Sequence, residues 1–282
     1  MDPRLAGRAA RSLDALHALS YFAPEVEAEV TALGVRRGMG AYFASRSAAM
    51  GRVGAGAVAA TFFVFNPSQV AHFIPGAWDA ASPEDVVAAR YRGVSAAWER
   101  LLGREVLGSP EVSEAADLAR QAAAGCTVSG RPLYAAHADL AWPQEPHLVL
   151  FHALTLLREH RGDGHVAALV GAGLTGLEAL VTHTATGKGF TRTAARATRG
   201  WSQEEWAATE AALAHRGLMT SDGSLTDDGR GLRRAVEVAT DQIGVAPWES
   251  LGEAGTERLA QLGLPLVLTV RDNGAFPADV FA

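Results

Sequence analysis

Cysteine is all but missing from this chain: Cys126 is the only one in 282 residues. No intramolecular disulfide can form, which excludes a secreted disulfide scaffold and a cysteine-based zinc site. No apolar run reaches the roughly 18 residues that a membrane span needs. The longest candidate, Val53 to Val64, is short and rich in Gly and Ala. Positive charge is not in excess either. The formal net charge of −6 argues against strong nonspecific binding to nucleic acid, while leaving room for a local basic patch. The stretch MDPRLAGRAARSLDALHAL is charged and amphipathic, unlike a signal peptide, so a cytoplasmic protein with no membrane partner is expected. Gly54-Ala-Gly56 and Gly171-Ala-Gly173 have no strand before them and are not dinucleotide fingerprints. No serine nucleophile elbow, H-E-x-x-H or paired-cysteine pattern occurs, so no metal site is expected. A haem on a single histidine, or one lone metal, stays open as an alternative.

What is present is helical. Leu5, Ala9, Leu13, Leu16 and Leu19 recur at helical spacing, and abundant Ala and Gly favour close-packed helices over sheets. Further helices are expected over 25–33, 55–65, 68–74, 82–102 and 112–124, and then over 178–186, 191–198, 202–215 and 227–243. Ser82-Pro83-Glu84-Asp85 and Ser202-Gln203-Glu204-Glu205 read as capped, acidic helix starts. Residues 125–144, with Gly130, Pro132 and Pro143, read as a linker. Arg216 to Thr226 reads as a short hairpin with an Asp-Gly turn.

The stretch HLVLFHALTLLREHRGDGH, His147 to His165, holds the densest polar cluster. An apolar helix is expected here, broken by Gly162 and Gly164 and ending in ionisable groups. His165 could act as a general acid or base, with Asp163 fixing its tautomer, Arg161 holding a carboxylate or enolate oxygen, and His160 adjoining them. The bland alternative has Asp163 capping a helix that starts at Gly164 or His165, and Arg161 paired with Glu159. His152 is expected to be a hydrogen-bonded core or pocket residue.

The two halves of the chain align loosely. PGAWDAASPEDVVAARYRGVSAAWERLLG faces RGWSQEEWAATEAALAHRGL, and SRSAAMGRVGAGAVAA faces EHRGDGHVAALVGAGL, which puts Arg46 opposite Arg161. The expected architecture is mainly α, two tandem winged-helix repeats related by a pseudo-twofold axis. Residues 1–145 form the first repeat and 146–282 the second. A cavity between them would be lined by Arg46, Tyr42, Phe43, His152 and Phe65, and would suit a flat, partly anionic ligand.

The phrase LAHRGLMTSDGSLTDDGRGLRRAVE resembles the MarR-like winged-helix class over about Phe190 to Gln242. Through YFAPE, LREHRGDGHVAAL, RGWSQEEW and TDQIGVAPW, nearly the whole chain resembles an actinobacterial helix-turn-helix family. These resemblances imply fold and little about activity. The second-copy recognition helix carries Glu204, Glu205 and Glu210, unlike a typical reader of base edges. The preceding helix is better supplied for phosphate, with Arg192, Arg196 and Arg199. The expected function is a ligand-responsive transcription regulator that binds a small apolar or aromatic, anionic molecule, with DNA as a second partner and the chain as monomer or homodimer. The alternative is a metabolite enzyme or sequestering protein that uses Arg161, Asp163 and His165.

Overall fold

The computed structural model describes residues 1–278, 280 and 281. The first helix, α1 (Pro3–Ala18), is capped by Asp2, whose carboxylate accepts the Arg4 N–H at 2.9 Å. Next come α2 (Pro24–Thr31), α3 (Met39–Ser47), α4 (Ala55–Thr61), α5 (Pro67–Phe73) and the single turn α6 (Ala77–Ala80). The helix expected over 55–65 stops at Thr61, because the chain turns sharply through Phe62 and Phe63, with Phe63 at φ 28°. The long α7 (Pro83–Leu102) starts where Ser82 accepts the Asp85 N–H at 3.1 Å, as its sequence predicts.

Arg104–Leu107 (α8) is a helical turn, and α9 (Pro110–Ala123) follows at once, capped by Ser109. The wing expected here for a first repeat is therefore not seen: two helix starts leave no turn to pair strands. The aligned segments around Arg46 and Arg161 also differ. The first breaks at Gly51, φ 76°, and the second is continuous helix. Inside the expected linker lies α10 (Pro132–Ala138).

The central helix, α11 (Pro146–Gly171), runs unbroken through Gly162 and Gly164, which corrects the expected break. A helical glycine costs only about 1 kcal/mol relative to alanine, and burial of the flanking apolar turns outweighs that. Gly164 is also useful where it stands: a Cβ there would lie 2.7 Å from Arg131 Nη1 and 2.9 Å from Ile243 Cγ2. Helices α12 (Gly176–Thr184), α13 (Arg192–Arg199), α14 (Gln203–His215) and α15 (Asp227–Ile243) then make a small lobe. Between the last two, Met219 and Leu225 form one antiparallel bridge closed by the Asp222-Gly223 turn, a minimal version of the expected hairpin. The last helix, α16 (Ala246–Asp272), is kinked at Gly252 and contains Pro265.

One core cluster joins α1, α7, α9, α11 and α16 through Leu16, Trp98, Ala119, Phe151 and Leu259, so both halves of the chain contribute to it. The alanine face of α9 (Ala115, Ala116, Ala119, Ala122) lets α11 and α16 approach closely. A second cluster gathers Phe43, Phe62, Phe65, Ile74 and Trp78 in the α3–α7 region. A third holds the small lobe through Leu180, Ala195, Trp206, Leu213, Met219 and Leu225. Among the described residues every extended regular element is a helix, with isolated β-bridges at Met219–Leu225 and Phe190–Phe281, and no single helix is long and apolar enough to cross a membrane.

Candidate ligand site

Because α11 does not break, its polar residues point in different directions at about 100° per residue. Arg161 and His165 share one face. Arg161 Nη2 donates to Asp241 at 2.7 Å, and His165 Nδ1 lies 2.8 Å from Thr240 Oγ1 on α15. His160 and Asp163 look the other way, onto α10. Asp163 Oδ2 accepts the N–H groups of Leu133 at 3.0 Å and Tyr134 at 2.9 Å. It caps α10 from another helix, where that helix's own N-cap residue, Arg131, supplies no cap. Burial pushes the Asp163 carboxyl up to about 6, against the pull of those two N–H groups. His160 stands edge-on to Tyr134 with both ring nitrogens buried and unpartnered, and burial pushes it down to about 4. The structure therefore does not bring Arg161, Asp163 and His165 into one constellation.

A different cluster forms one residue earlier. Glu159 is wholly enclosed, with Arg46 Nη2 at 3.3 Å and Arg158 Nη1 at 3.0 Å. The Arg46 guanidinium lies 4.3 Å from the Phe62 ring centre, 5.0 Å from Tyr21 and 5.6 Å from Tyr42, and Nη1 donates to the Tyr42 hydroxyl at 2.9 Å. Arg158 lies over the other side of the cluster, 5.3 Å from Tyr21. Arg90 reaches in from α7, 3.2 Å from His17 Nε2 and 5.3 Å above Phe151. Arginine can only donate, so His17 Nε2 accepts and Nδ1 carries the hydrogen toward the Tyr21 hydroxyl, 3.4 Å away. Arg199, the last residue of α13, stacks 4.1 Å over Phe190 and 5.0 Å over Phe65.

The charge balance of this cluster is uneven. Glu159 and Asp163 are the only buried carboxylates among the described residues, and Asp163 serves α10. Arg46, Arg90, Arg158 and Arg199 thus share one enclosed carboxylate, with the half-exposed Asp14 standing 3.6 Å from Arg158. Burial alone would raise the Glu159 pKa, but Arg158 and Arg46 overrule it and hold the carboxyl far below its usual range. Tyr42 behaves the same way: burial favours its neutral form, yet Arg46, Arg199 and Arg158 together draw its pKa below the ordinary phenol value. Burial, reinforced by Arg158 and Arg90, keeps His17 neutral.

Beside the cluster lies a cavity of about 410 Å³, walled by Tyr21, Tyr42, Phe65 and Phe190, with Ser45 and Arg199 among its polar residues. Arg199 Nε and Ser20 Oγ are buried there without partners. Of the residues the sequence singled out for a ligand, Tyr42 and Phe65 line this cavity and Arg46 sits behind Tyr42. Phe43 is turned into the aromatic core against Phe62 and Phe65. His152 is enclosed between Tyr91, whose hydroxyl is 2.5 Å from Nδ1, and Trp142. Tyr21, Arg90, Arg158 and His17 were not singled out, since a buried arginine looks like a surface one in sequence. Among the described residues no three metal-ligating side chains converge.

The small lobe rests on this cavity. Gly200, in the left-handed conformation at φ 72°, ends α13, and Ser202 and Glu205 form a reciprocal capping box that starts α14. The joining turn is pinned to the segment before α5. Asn66 N–H donates to the Arg199 carbonyl at 2.9 Å, Trp201 Nε1 donates to the Val64 carbonyl at 2.9 Å, and Asn66 Nδ2 reaches Glu205 at 3.4 Å. Arg192 is held by Glu210 at 2.6 Å, Arg196 is half-exposed, and Arg199 points inward to the cavity rather than out with them. The exposed face of α14 carries Glu204, Ala207, Ala208, Ala211 and His215.

A short helix, a tight left-handed turn and a longer helix, as in α13 and α14, are the element order of a helix-turn-helix, the motif of many DNA-binding regulators. Over residues 6–277 the chain matches the helix-turn-helix family, and it belongs to that family. No curated protein and no solved structure matches it.

Proposed function

We propose that the protein is a ligand-responsive helix-turn-helix regulator whose ligand is a flat, anionic, aromatic molecule bound in the Tyr21–Tyr42–Phe65–Arg199 cavity. The observation that carries this reading is the position of Arg199. Its guanidinium forms part of the cavity wall, and its backbone ends the first helix of the helix-turn-helix. An excess of enclosed guanidinium groups over carboxylates favours an anion. The aromatic walls favour a planar body. A ligand that engages Arg199 acts on the turn that sets the direction of α14, through the contacts of Asn66 and Trp201. The expected response is a change in the order of α14, since a ligand can shift only an element with which it interacts differently in two states.

DNA contact falls to Arg192, Arg196 and the end of α14, where His215 and Arg216 stand. Arg216 is itself paired with Glu178 at 2.6 Å. The acidic and alanine-rich face of α14 favours backbone contact over base reading.

Hydrogen exchange of the full chain with and without saturating 2-naphthoate tests the reading. Slowed exchange in residues 203–215 supports it. Binding of 2-naphthoate with unchanged exchange there contradicts the regulatory role, and no binding contradicts the ligand site itself.

A further inference from the structure

A second cavity, of about 300 Å³, opens where α11 faces α1 and the start of α16. It is separate from the Tyr42 cavity and shares none of its lining residues. Arg158, Arg161, Gly162 and His165 lie on its α11 side at i, i+3, i+4 and i+7, one face of one helix. Leu13, Leu157 and Trp248 supply apolar walls, and Asp14 adds a carboxylate.

The imidazole of His165 is locked in one tautomer. Thr240 gives its only hydroxyl hydrogen to the Val236 carbonyl at 2.7 Å, so toward His165 it can only accept. His165 Nδ1, 2.8 Å away, must carry the hydrogen, and Nε2 is left as a lone pair with no partner among the described residues. Burial pushes this histidine down to about 4, so the lone pair is present at neutral pH.

Two arginines line the same space. Arg158 commits Nη1 to both oxygens of Glu159 and turns its Nε toward Asp14 at 3.6 Å, while its Nη2 makes no hydrogen bond among the described residues and is not one of the enclosed atoms. Arg161 commits Nη2 to Asp241, and its Nη1 likewise makes no hydrogen bond among the described residues and is not enclosed. Gly162, between them, leaves the floor bare. A Cβ there would meet nothing closer than Glu159 Oε2 at 3.5 Å, an ordinary contact, so packing does not demand the glycine.

We propose that this cavity binds a small carboxylate carrying a hydrogen-bond donor on the adjacent carbon, a 2-amino or 2-hydroxy acid with an aliphatic side chain. The carboxylate takes the free donors of Arg158 and Arg161. The amine or hydroxyl donates to His165 Nε2. The side chain lies against Leu13, Leu157 and Trp248, and Asp14 favours the amine over the hydroxyl. Nothing in this assignment depends on the Tyr42 cavity or on DNA.

Calorimetric titration of the full chain with L-leucine, L-2-hydroxy-4-methylpentanoate and 4-methylpentanoate tests it. The first two are expected to bind, and the third, which has the same shape and no donor, at least tenfold more weakly. Gly162→Leu fills the floor while leaving every polar group in place, and it should abolish binding in a chain that still folds. In 15N spectra of histidine-labelled protein, His165 should show the Nδ1–H tautomer, and its Nε2 resonance should move when L-leucine is added. Failure of both donor-bearing acids to bind, equal affinity for 4-methylpentanoate, binding that survives Gly162→Leu, or an Nε2–H tautomer would each overturn the assignment.

Discussion

Arg46 and Glu159 stand 113 residues apart in the chain and meet at 3.3 Å, with side chains only 9% and 3% exposed. Such a pair is strongly constrained: taking away one member leaves a buried charge that water cannot reach. Glu159 also neutralises Arg158, so it is the keystone of the cationic cluster. Glu159→Gln keeps the shape and deletes the charge. The expected loss is about 3–5 kcal/mol of unfolding free energy, the range for breaking one side of a buried pair. Denaturant titration measures it, and a loss under about 1 kcal/mol would show that solvent screens the cluster.

The two glycines of α11 should respond in opposite directions. Gly162→Ala adds a Cβ in ordinary contact only and removes a helix-weakening residue, so stability is expected to rise by about 0.5–1 kcal/mol. Gly164→Ala gains the same propensity, but its Cβ would fall 2.7 Å from Arg131 Nη1 and 2.9 Å from Ile243 Cγ2. The net effect expected is destabilisation by about 1–3 kcal/mol, from displacement of the Arg131 side chain that ties α11 to the end of α15. Thermal melts of the two variants give the comparison; a shift of the same sign in both would contradict it.

These glycines also mark where sequence reasoning stops. Helix starts at Ser82 and Ser202 were legible because their signal is local: a hydroxyl three residues before the N–H it caps. The continuity of α11 was not, because a propensity of about 1 kcal/mol per glycine is weaker than burial against helices distant in sequence. Helix α10 hid between Gly130 and Pro143, and its cap comes from Asp163 on another helix. The aromatic half of the ligand site, Tyr42 and Phe65 near Arg46, was legible as a dense local group. Its cationic half comes from Arg90, Arg158 and Arg199, on three different helices, which only the fold brings together. A helix break that did not form also explains the supposed acid–base group. Once α11 is continuous, Asp163 and His165 face different neighbours.

Acid should begin to destabilise the protein from about pH 6.5 downward, where histidines titrate in the unfolded chain. Burial pushes His137 down to about 3, and His152, His160 and His165 to about 4 each, from an ordinary 6.5. Between about pH 6.5 and 4 the unfolded chain takes up protons at these positions and the folded one does not, so stability falls as pH falls through that window. Asp163 opposes this trend. Its folded carboxyl, raised to about 6 from 3.8, binds a proton before the unfolded one does, and that favours the fold as pH drops. Four histidines outweigh one aspartate, and Tm is expected to fall by ~10 °C or more from pH 6.5 to 4. A flat or rising Tm across that interval would mean that these rings reach water.

The most direct test of the ligand site is the affinity of the full chain for 2-naphthoate beside that of 2-naphthamide, which has the same ring system and no charge, each measured by calorimetry on the wild type and on Arg199→Gln. An anion site built on Arg199 predicts that the wild type prefers the carboxylate by at least tenfold and that the variant loses most of that preference. Equal affinity for the two compounds in the wild type, or a preference untouched by Arg199→Gln, would contradict it.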